Sequence, residues 1–112
     1  MTYEEVFDKT RDDLMRADVS DIREHLAFQF NIVGEGEGAF YVEIRDGRLY
    51  VEPYEYYDRD ALFICRADTL FKIAAGELDP SFAYTIGKIK IRGDVGKALR
   101  LKQLAYPGRK LR

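Results

Sequence analysis

Residues 76–94 read GELDPSFAYTIGKIKIRGD, and nearly every position in the run has a backbone task. Gly76 ends a helix, because the position just past a helix terminus favours the left-handed conformation that glycine adopts without strain. Asp79 caps the next helix and Pro80 sits in its first turn, where a missing N–H costs nothing. That helix is short, carries Phe82, Ala83 and Ile86, and stops at Gly87. Lys88 to Arg92 alternates charged and apolar residues, the period of a strand with one wet face. Gly93 turns the chain and Asp94 caps a last helix bearing Val95, Ala98, Leu99 and Leu101, which Pro107-Gly108 halts.

The chain upstream of this run supplies the rest of a sheet. Thr2-x-x-Glu5 is a capping box, and Tyr3, Val6, Phe7, Thr10 and Leu14 form one stripe of a helix reaching about Ala17. Ser20 or Asp21 can cap a brief turn through His25. Phe28, Phe30 and Ile32 alternate with Gln29 and Asn31 in a first strand over 26–33. After a flexible Gly34–Gly38 turn, Phe40, Val42 and Ile44 point the same way, and Asp46-Gly47 is a hairpin signal leading to Leu49 and Val51. Pro53 ends that third strand, and Tyr54–Asp58 is an irregular connection. Ala61, Phe63 and Cys65 face inward on a fourth strand, leaving Leu62 and Ile64 outside. Asp68 caps a helix with Leu70, Phe71, Ala74 and Ala75. Three strands, a crossover and then β-α-α-β-α give an α+β fold: a five-stranded, mainly antiparallel sheet with helices covering one face.

The run Gly76-x-Leu78-Asp79-Pro80-x-x-Ala83-x-x-x-Gly87-Lys88-Ile89-Lys90-Ile91-x-Gly93-Asp94, with Phe28-x-Phe30-x-Ile32-x-Gly34 and Phe40-x-Val42-x-Ile44-x-Asp46-Gly47 before it, resembles the sterol carrier protein type 2 family of lipid-binding and sterol-transfer domains. The resemblance spans about four-fifths of the chain and implies the strand order 3-2-1-4-5, which periodicity does not fix. It also implies a cavity between sheet and helices for an apolar ligand. The tail Lys110-Leu111-Arg112 is not a peroxisomal address.

Length and composition set the outer bounds. A chain of 112 residues, 46% hydrophobic and 34% charged, is expected to form a single soluble domain over 1–112, with 106–112 a basic tail. No apolar run spans a membrane and the acidic start is unlike a secretory signal, so a cytoplasmic setting is expected. The single Cys65 agrees with it. The formal charge of −2 is unevenly placed: 1–25 carry 8 acids and 4 bases, 26–86 carry 11 and 5, and 87–112 carry Asp94 alone against 9 bases. The basic end suits an anionic membrane surface or a phosphate, although a row of lysines also guards a sheet edge against unwanted pairing.

Catalytic chemistry has little inventory here. His25 is the single histidine, and nothing in the sequence brings it to Cys65. No spacing suits a metal, and no cofactor is expected. Gly34-x-Gly36-x-Gly38 lies between antiparallel strands and carries two glutamates, which makes it a hairpin loop rather than a phosphate cradle. Arg92-Gly93-Asp94 is explained by its turn and cap. Tyr50, Tyr54, Tyr56 and Tyr57 either rim a pocket mouth or cover the outer sheet face beside Tyr41; their acidic surroundings disfavour nucleic acid.

The remaining candidate is the apolar layer. Its expected inward positions include Phe7, Leu14, Ile32, Ile44, Leu49, Val51, Ile91 and Leu104. The set assigned to ligand contact is Phe28, Phe30, Phe40, Val42, Phe63, Phe71, Phe82, Ile86, Ile89 and Leu99. Periodicity alone fits a filled core as well as a cavity of roughly 300–1,000 Å³. The resemblance favours non-catalytic binding and transfer of an elongated apolar ligand: sterol, fatty acid, acyl-CoA or phospholipid. The alternative is a structural, oligomerising domain with a filled core, forming a homodimer through Leu62 and Ile64.

Overall fold

The capping box at Thr2 starts the chain. Thr2 Oγ1 accepts from Glu5 N–H and Glu5 Oε1 from Thr2 N–H, opening helix α1 (Tyr3–Leu14). The computed structural model describes residues 1–105, so the expected tail over 106–112 and the Pro107-Gly108 stop lie outside the described residues. Helix α1 ends three residues short of Ala17, whose N–H turns back to the Leu14 carbonyl. Strands β1 (Leu26–Val33), β2 (Gly38–Arg45) and β3 (Arg48–Glu52) then form an antiparallel meander. Asp46 and Gly47 both hold positive φ, 53° and 73°, as the tightest hairpin turn requires.

Strand β4 (Ala61–Arg66) lies parallel to β1, and β5 (Ile89–Gly93) antiparallel to β4. The sheet order is β3-β2-β1-β4-β5, the order implied by the family resemblance. Between β4 and β5 run α2 (Ala67–Ala74) and α3 (Pro80–Thr85), and α4 (Val95–Ala98) and α5 (Leu101–Ala105) follow β5. Their buried residues join those of α1 and one sheet face in a single core.

Several local expectations are corrected. Helix α2 follows β4 without a loop, so Arg66 occupies the cap position with no side-chain cap, and Asp68 instead accepts from Thr69 N–H within the first turn. The last helix is broken: Leu99 closes α4 and the chain turns before α5, burying Ala98, Leu101 and Leu104 together. Gly96 in α4 weakens it by roughly 0.5–1 kcal/mol relative to alanine. Gly34–Gly38 is packed rather than slack. A Cβ on Gly36 would meet Val6 at 2.5 Å and one on Gly38 would meet Tyr3 at 2.3 Å, so the loop is a seat for α1.

The outer sheet face is not open to water over β1 and β2. Gln29 and Glu43, on the outer face, are each only 3% exposed. Tyr56 N–H donates to Gln29 Oε1 at 3.0 Å, Tyr56 O–H donates to Glu43 Oε2 at 2.9 Å, and the Tyr56 ring meets Tyr41 edge-on at 5.0 Å. The 53–60 connection therefore roofs this half of the outer face, while Tyr54 and Tyr57 remain 65% and 97% exposed.

Candidate ligand-binding layer

Sheet register assembles the aromatic layer. Phe30 on β1 pairs with Phe40 on β2 and with Phe63 on β4, and directly opposed side chains on one face lie within stacking distance. The Phe30 ring accordingly stacks on Phe40 at 5.2 Å and on Phe63 at 4.7 Å, with interplanar angles of 10° and 6°. Phe28 meets Phe63 edge-on at 5.6 Å, and Phe7 from α1 meets Phe40 edge-on at 5.5 Å. Such pairs each add about 0.5–1.5 kcal/mol beyond area burial. Val42 and Ile89 flank the rings, both buried.

The structure thus brings together Phe28, Phe30, Phe40, Val42, Phe63 and Ile89. Phe71 is partly buried against the core, with Lys9 Nζ 5.2 Å from its ring centroid, and Leu99 is partly buried at the end of α4. Phe82 and Ile86, expected inward, are turned out to solvent at 56% and 49% exposure. The inward stripe of α3 is taken by Pro80 and Ala83, three apart; Phe82 lies across the helix from it, and Ile86, the cap residue just past Thr85, is left at the exposed helix end. Leu49 and Ile91 are also only partly buried. Sequence periodicity missed Val19, Ile22 and Leu26, which join the core from the α1–β1 connection and the start of β1.

Two polar groups inside stand out. Thr10, fully buried on α1 beside Val6, Phe7 and Leu14, has a hydroxyl with no hydrogen-bond partner among the described residues. A buried hydroxyl left unpaired costs about 1–3 kcal/mol. Cys65, inward on β4, is 4% exposed; burial, reinforced by the charge of Asp68, pushes its thiol up to about 12 from 9.0. It is therefore a protonated, unreactive core thiol at neutral pH.

Helices over the β4–β5 half are short and held at their edges by polar contacts. Asp79 Oδ1 accepts from Ser81 N–H at 2.7 Å, and Asp79 Oδ2 lies 3.3 Å from Lys102 Nζ, tying α3 to α5. The backbone hydrogen bond from Ser81 and the Lys102 ammonium hold the Asp79 carboxyl below its ordinary value. Asp60 anchors the other side: its carboxylate accepts from Ala27 N–H at 2.9 Å and from Lys97 Nζ at 3.3 Å, and its carbonyl accepts from Asp94 N–H.

On the roofed outer face, His25 Nε2 lies 2.6 Å from Glu43 Oε2, and Arg45 lies 3.7 Å from the other carboxylate oxygen. Burial, then the hydrogen bond to Glu43, raises the Tyr56 hydroxyl above its ordinary value. His25 and Cys65 are thus on opposite faces of the sheet. Among the described residues no group of His, Cys, Asp and Glu is arranged to hold a metal ion, and no helix is long and apolar enough to cross a membrane. Concavities of about 470 and 450 Å³ lie outside the aromatic layer, one over Gln29, Asn31 and Glu55, the other along Val33, Ile64, Arg66, Lys88 and Lys90.

Comparison with known proteins places this layer in a family setting. The model of the SCP-2 sterol transfer family matches residues 4–106. The chain is 29% identical over 104 residues to hydroxysteroid dehydrogenase-like protein 2 of Mus musculus, covering 92% of this chain and 20% of that one. It thus spans about a fifth of the length of these curated relatives. Sterol carrier protein 2 of Arabidopsis thaliana is 29% identical over 86 residues, covering 73% of this chain and 70% of that one. Among solved structures, palmitated SCP2L2 from Aedes aegypti superposes with a TM-score of 0.65 at 20% identity, covering 95% and 96% of the two chains.

Proposed function

Given that the chain belongs to the SCP-2 sterol transfer family, we propose that it binds and transfers an elongated apolar ligand with one polar end, held between the inner sheet face and the helices. One observation carries this reading: the fully buried Thr10 hydroxyl, without a partner among the described residues, shares the buried face of α1 with Phe7, whose ring meets Phe40 of the phenylalanine layer. A carboxylate or hydroxyl at the ligand's end satisfies that donor, and the rings receive the chain. The palmitated relative supports a fatty acid as the first ligand to try. About fourteen methylenes withdrawn from water contribute on the order of 10 kcal/mol before the costs of association.

The stacked rings leave little slack, so entry requires the helical layer to part. The weakest part of it lies over β4 and β5, where α3, α4 and α5 have 6, 4 and 5 residues. Their ion pairs, Lys102–Asp79 and Lys97–Asp60, are exposed enough to contribute no more than about 1 kcal/mol each. Displacement of α4 and α5 uncovers the ends of Phe63 and Ile89 and gives Leu99 its place at the mouth. No catalytic step is assigned to the chain.

Delipidated protein titrated with a fluorescent fatty acid should show saturable binding at one site. Thr10→Val removes the hydroxyl at nearly constant shape. It should raise the stability of the unliganded protein by about 1 kcal/mol and weaken palmitate several-fold. Absence of saturable binding overturns the reading; binding unchanged in the valine variant removes Thr10 from it. The oligomeric alternative has less support, because Leu62 and Ile64 lie directly opposite Arg92 and Lys90 in the sheet. Two copies meeting at that face would bring like charges together.

A further inference from the structure

The two edges of the sheet are built differently. Edge strand β5 turns Lys90 and Arg92 outward, with Lys88 just before it, and this row of like charges guards it against pairing with its own copy. Edge strand β3 carries no such guard. Its outward row is Arg48, Tyr50 and Glu52, a cation and an anion on either side of a tyrosine. In the ladder Arg48 lies opposite Arg45 and Glu52 opposite Tyr41. Neither Arg48 nor Glu52 forms an ion pair among the described residues. Arg45 is turned instead to Glu43, 3.7 Å away, and over the Tyr50 ring, 4.6 Å from its centroid. The chain leaves β3 away from the edge, since the 53–60 connection crosses the outer face to Tyr41 and Gln29.

We infer that β3 is a self-pairing edge, joining two copies of this chain in an antiparallel ladder with Tyr50 opposite the partner's Tyr50. The backbone selects the register. Asp46-Gly47 makes a two-residue hairpin, so Arg48, Tyr50 and Glu52 bond to β2, while Leu49 and Val51 turn their N–H and C=O groups to the free edge. Pairing centred on Tyr50 sets Leu49 against the partner's Val51, and the two exchange N–H···O bonds. Moving the centre to Val51 sets Leu49 against Pro53, which has no N–H to give. Moving it to Leu49 sets Val51 against Gly47, held in the turn at φ 73°. Side chains agree with the Tyr50 centre. Arg48 falls opposite the partner's Glu52 on the outer face, once on each side of the two-fold axis. On the inner face Leu49 falls opposite the partner's Val51, which covers the part of Leu49 left bare in a single copy. Pairing β3 with β5 offers no such match, since a neutral row meets a cationic one. Each strand has 5 residues, too short to bury the roughly 1,200 Å² of a standard interface, so dimer and monomer exchange. The axis stands perpendicular to the sheet, which puts both helical layers on one side and the two β5 edges at opposite ends. Lipid carriage is a separate matter, because this contact closes neither helical layer.

Sedimentation velocity of the whole chain over about 1–500 μM should show a concentration-dependent monomer–dimer equilibrium. Glu52→Arg or Arg48→Glu alone turns a twice-repeated attraction into a repulsion and should weaken the dimer roughly thirtyfold. The two together should restore it to within about threefold of wild type. Lys90→Glu, on the other edge, should leave it unchanged. Tyr50→Cys sets two thiols on the axis, at the Cα spacing of about 4.5 Å of a non-hydrogen-bonded pair, and should give a covalent dimer under mild oxidation. Arg48→Cys should not, because its two copies stand roughly 13 Å apart along the strands; Cys65 stays buried in both. Circular dichroism and palmitate uptake should match wild type in every variant. A monomer at every concentration, a dimer indifferent to the single reversals or lost in Lys90→Glu, or a double reversal that stays monomeric overturns the inference. So does oxidation that links Arg48→Cys as readily as Tyr50→Cys.

Discussion

Replacing Phe30 by alanine should be among the most damaging single changes in this chain. Phe30 is 1% exposed and its ring lies between Phe40 and Phe63, 5.2 and 4.7 Å away. Truncation loses the transfer free energy of a buried ring, two ring contacts and the packing around the hole. Together these fall in the range of about 3–5 kcal/mol measured for buried Phe→Ala. A domain of this size has a total stability of roughly 5–15 kcal/mol, so the variant should fold but with little reserve. Urea unfolding provides the assay: with a slope near ~1.5 kcal/mol/M, a loss of about 4 kcal/mol lowers the midpoint by roughly 2.5 M at constant slope. Phe82→Ala is the internal control, because that ring is 56% exposed and its loss should move the midpoint by less than about 0.5 M. A Phe30 loss below about 2 kcal/mol at unchanged slope would refute the reasoning. It would mean the ring already borders empty space rather than two stacked neighbours.

Tyr56→Phe removes the donor to Glu43 Oε2 and should cost about 1 kcal/mol; trypsin should then cut more readily after Arg59, and cleavage unchanged from wild type argues against the roof. The Cys65 thiol should resist Ellman's reagent in the native state, reacting only as the helical layer opens. Its folded-state value of about 12 exceeds the ordinary 9.0, so its contribution to stability is whole below pH 9 and lost as pH rises toward 12, by up to ~1.4 kcal/mol per pH unit. Rapid labelling at neutral pH would contradict its burial. Asp79 is lowered instead, so its stabilisation of α3 is present above the ordinary carboxylate value of 3.8 and lost as pH falls through the folded one. Asp79→Ala should cost about 0.5–2 kcal/mol and abolish that part of the acid transition.

What the sequence made legible was governed by local chemistry. Asp79-Pro80 and Gly87 bounded α3, Asp46-Gly47 turned the β2–β3 hairpin, and alternation along Phe28–Ile32 and Phe40–Ile44 oriented two strands. The inner six ligand-layer residues come together because they share strand parity. Phe82 and Ile86 escaped that logic: on a helix of 6 residues one turn decides which stripe faces in, and Pro80 and Ala83 take it, while Ile86 falls just past the helix end. The outer-face network was hidden for another reason. Glu43 and Gln29 alternate as exposed residues should, and their burial depends on a loop closing over them from residues 53–60. No local pattern encodes such a meeting. Thr10 was visible on the helical stripe, but its lack of a partner could be seen only with its neighbours in place.

The position of β1 has a consequence for biosynthesis. It is the middle ribbon, antiparallel to β2 and parallel to β4, so the β2–β3 hairpin itself serves as the crossover that a parallel pair demands. A nascent chain emerging through Glu52 can zip its first three strands at once, since their contacts are near in sequence. Its other flank, with Phe28 and Phe30 bare, has no mate until Ala61–Arg66 leaves the ribosome. During that interval an unpaired edge and an oily surface coexist on one polypeptide. Slowed translation between these segments should therefore lower the soluble yield, and trigger factor or another holding chaperone should restore it.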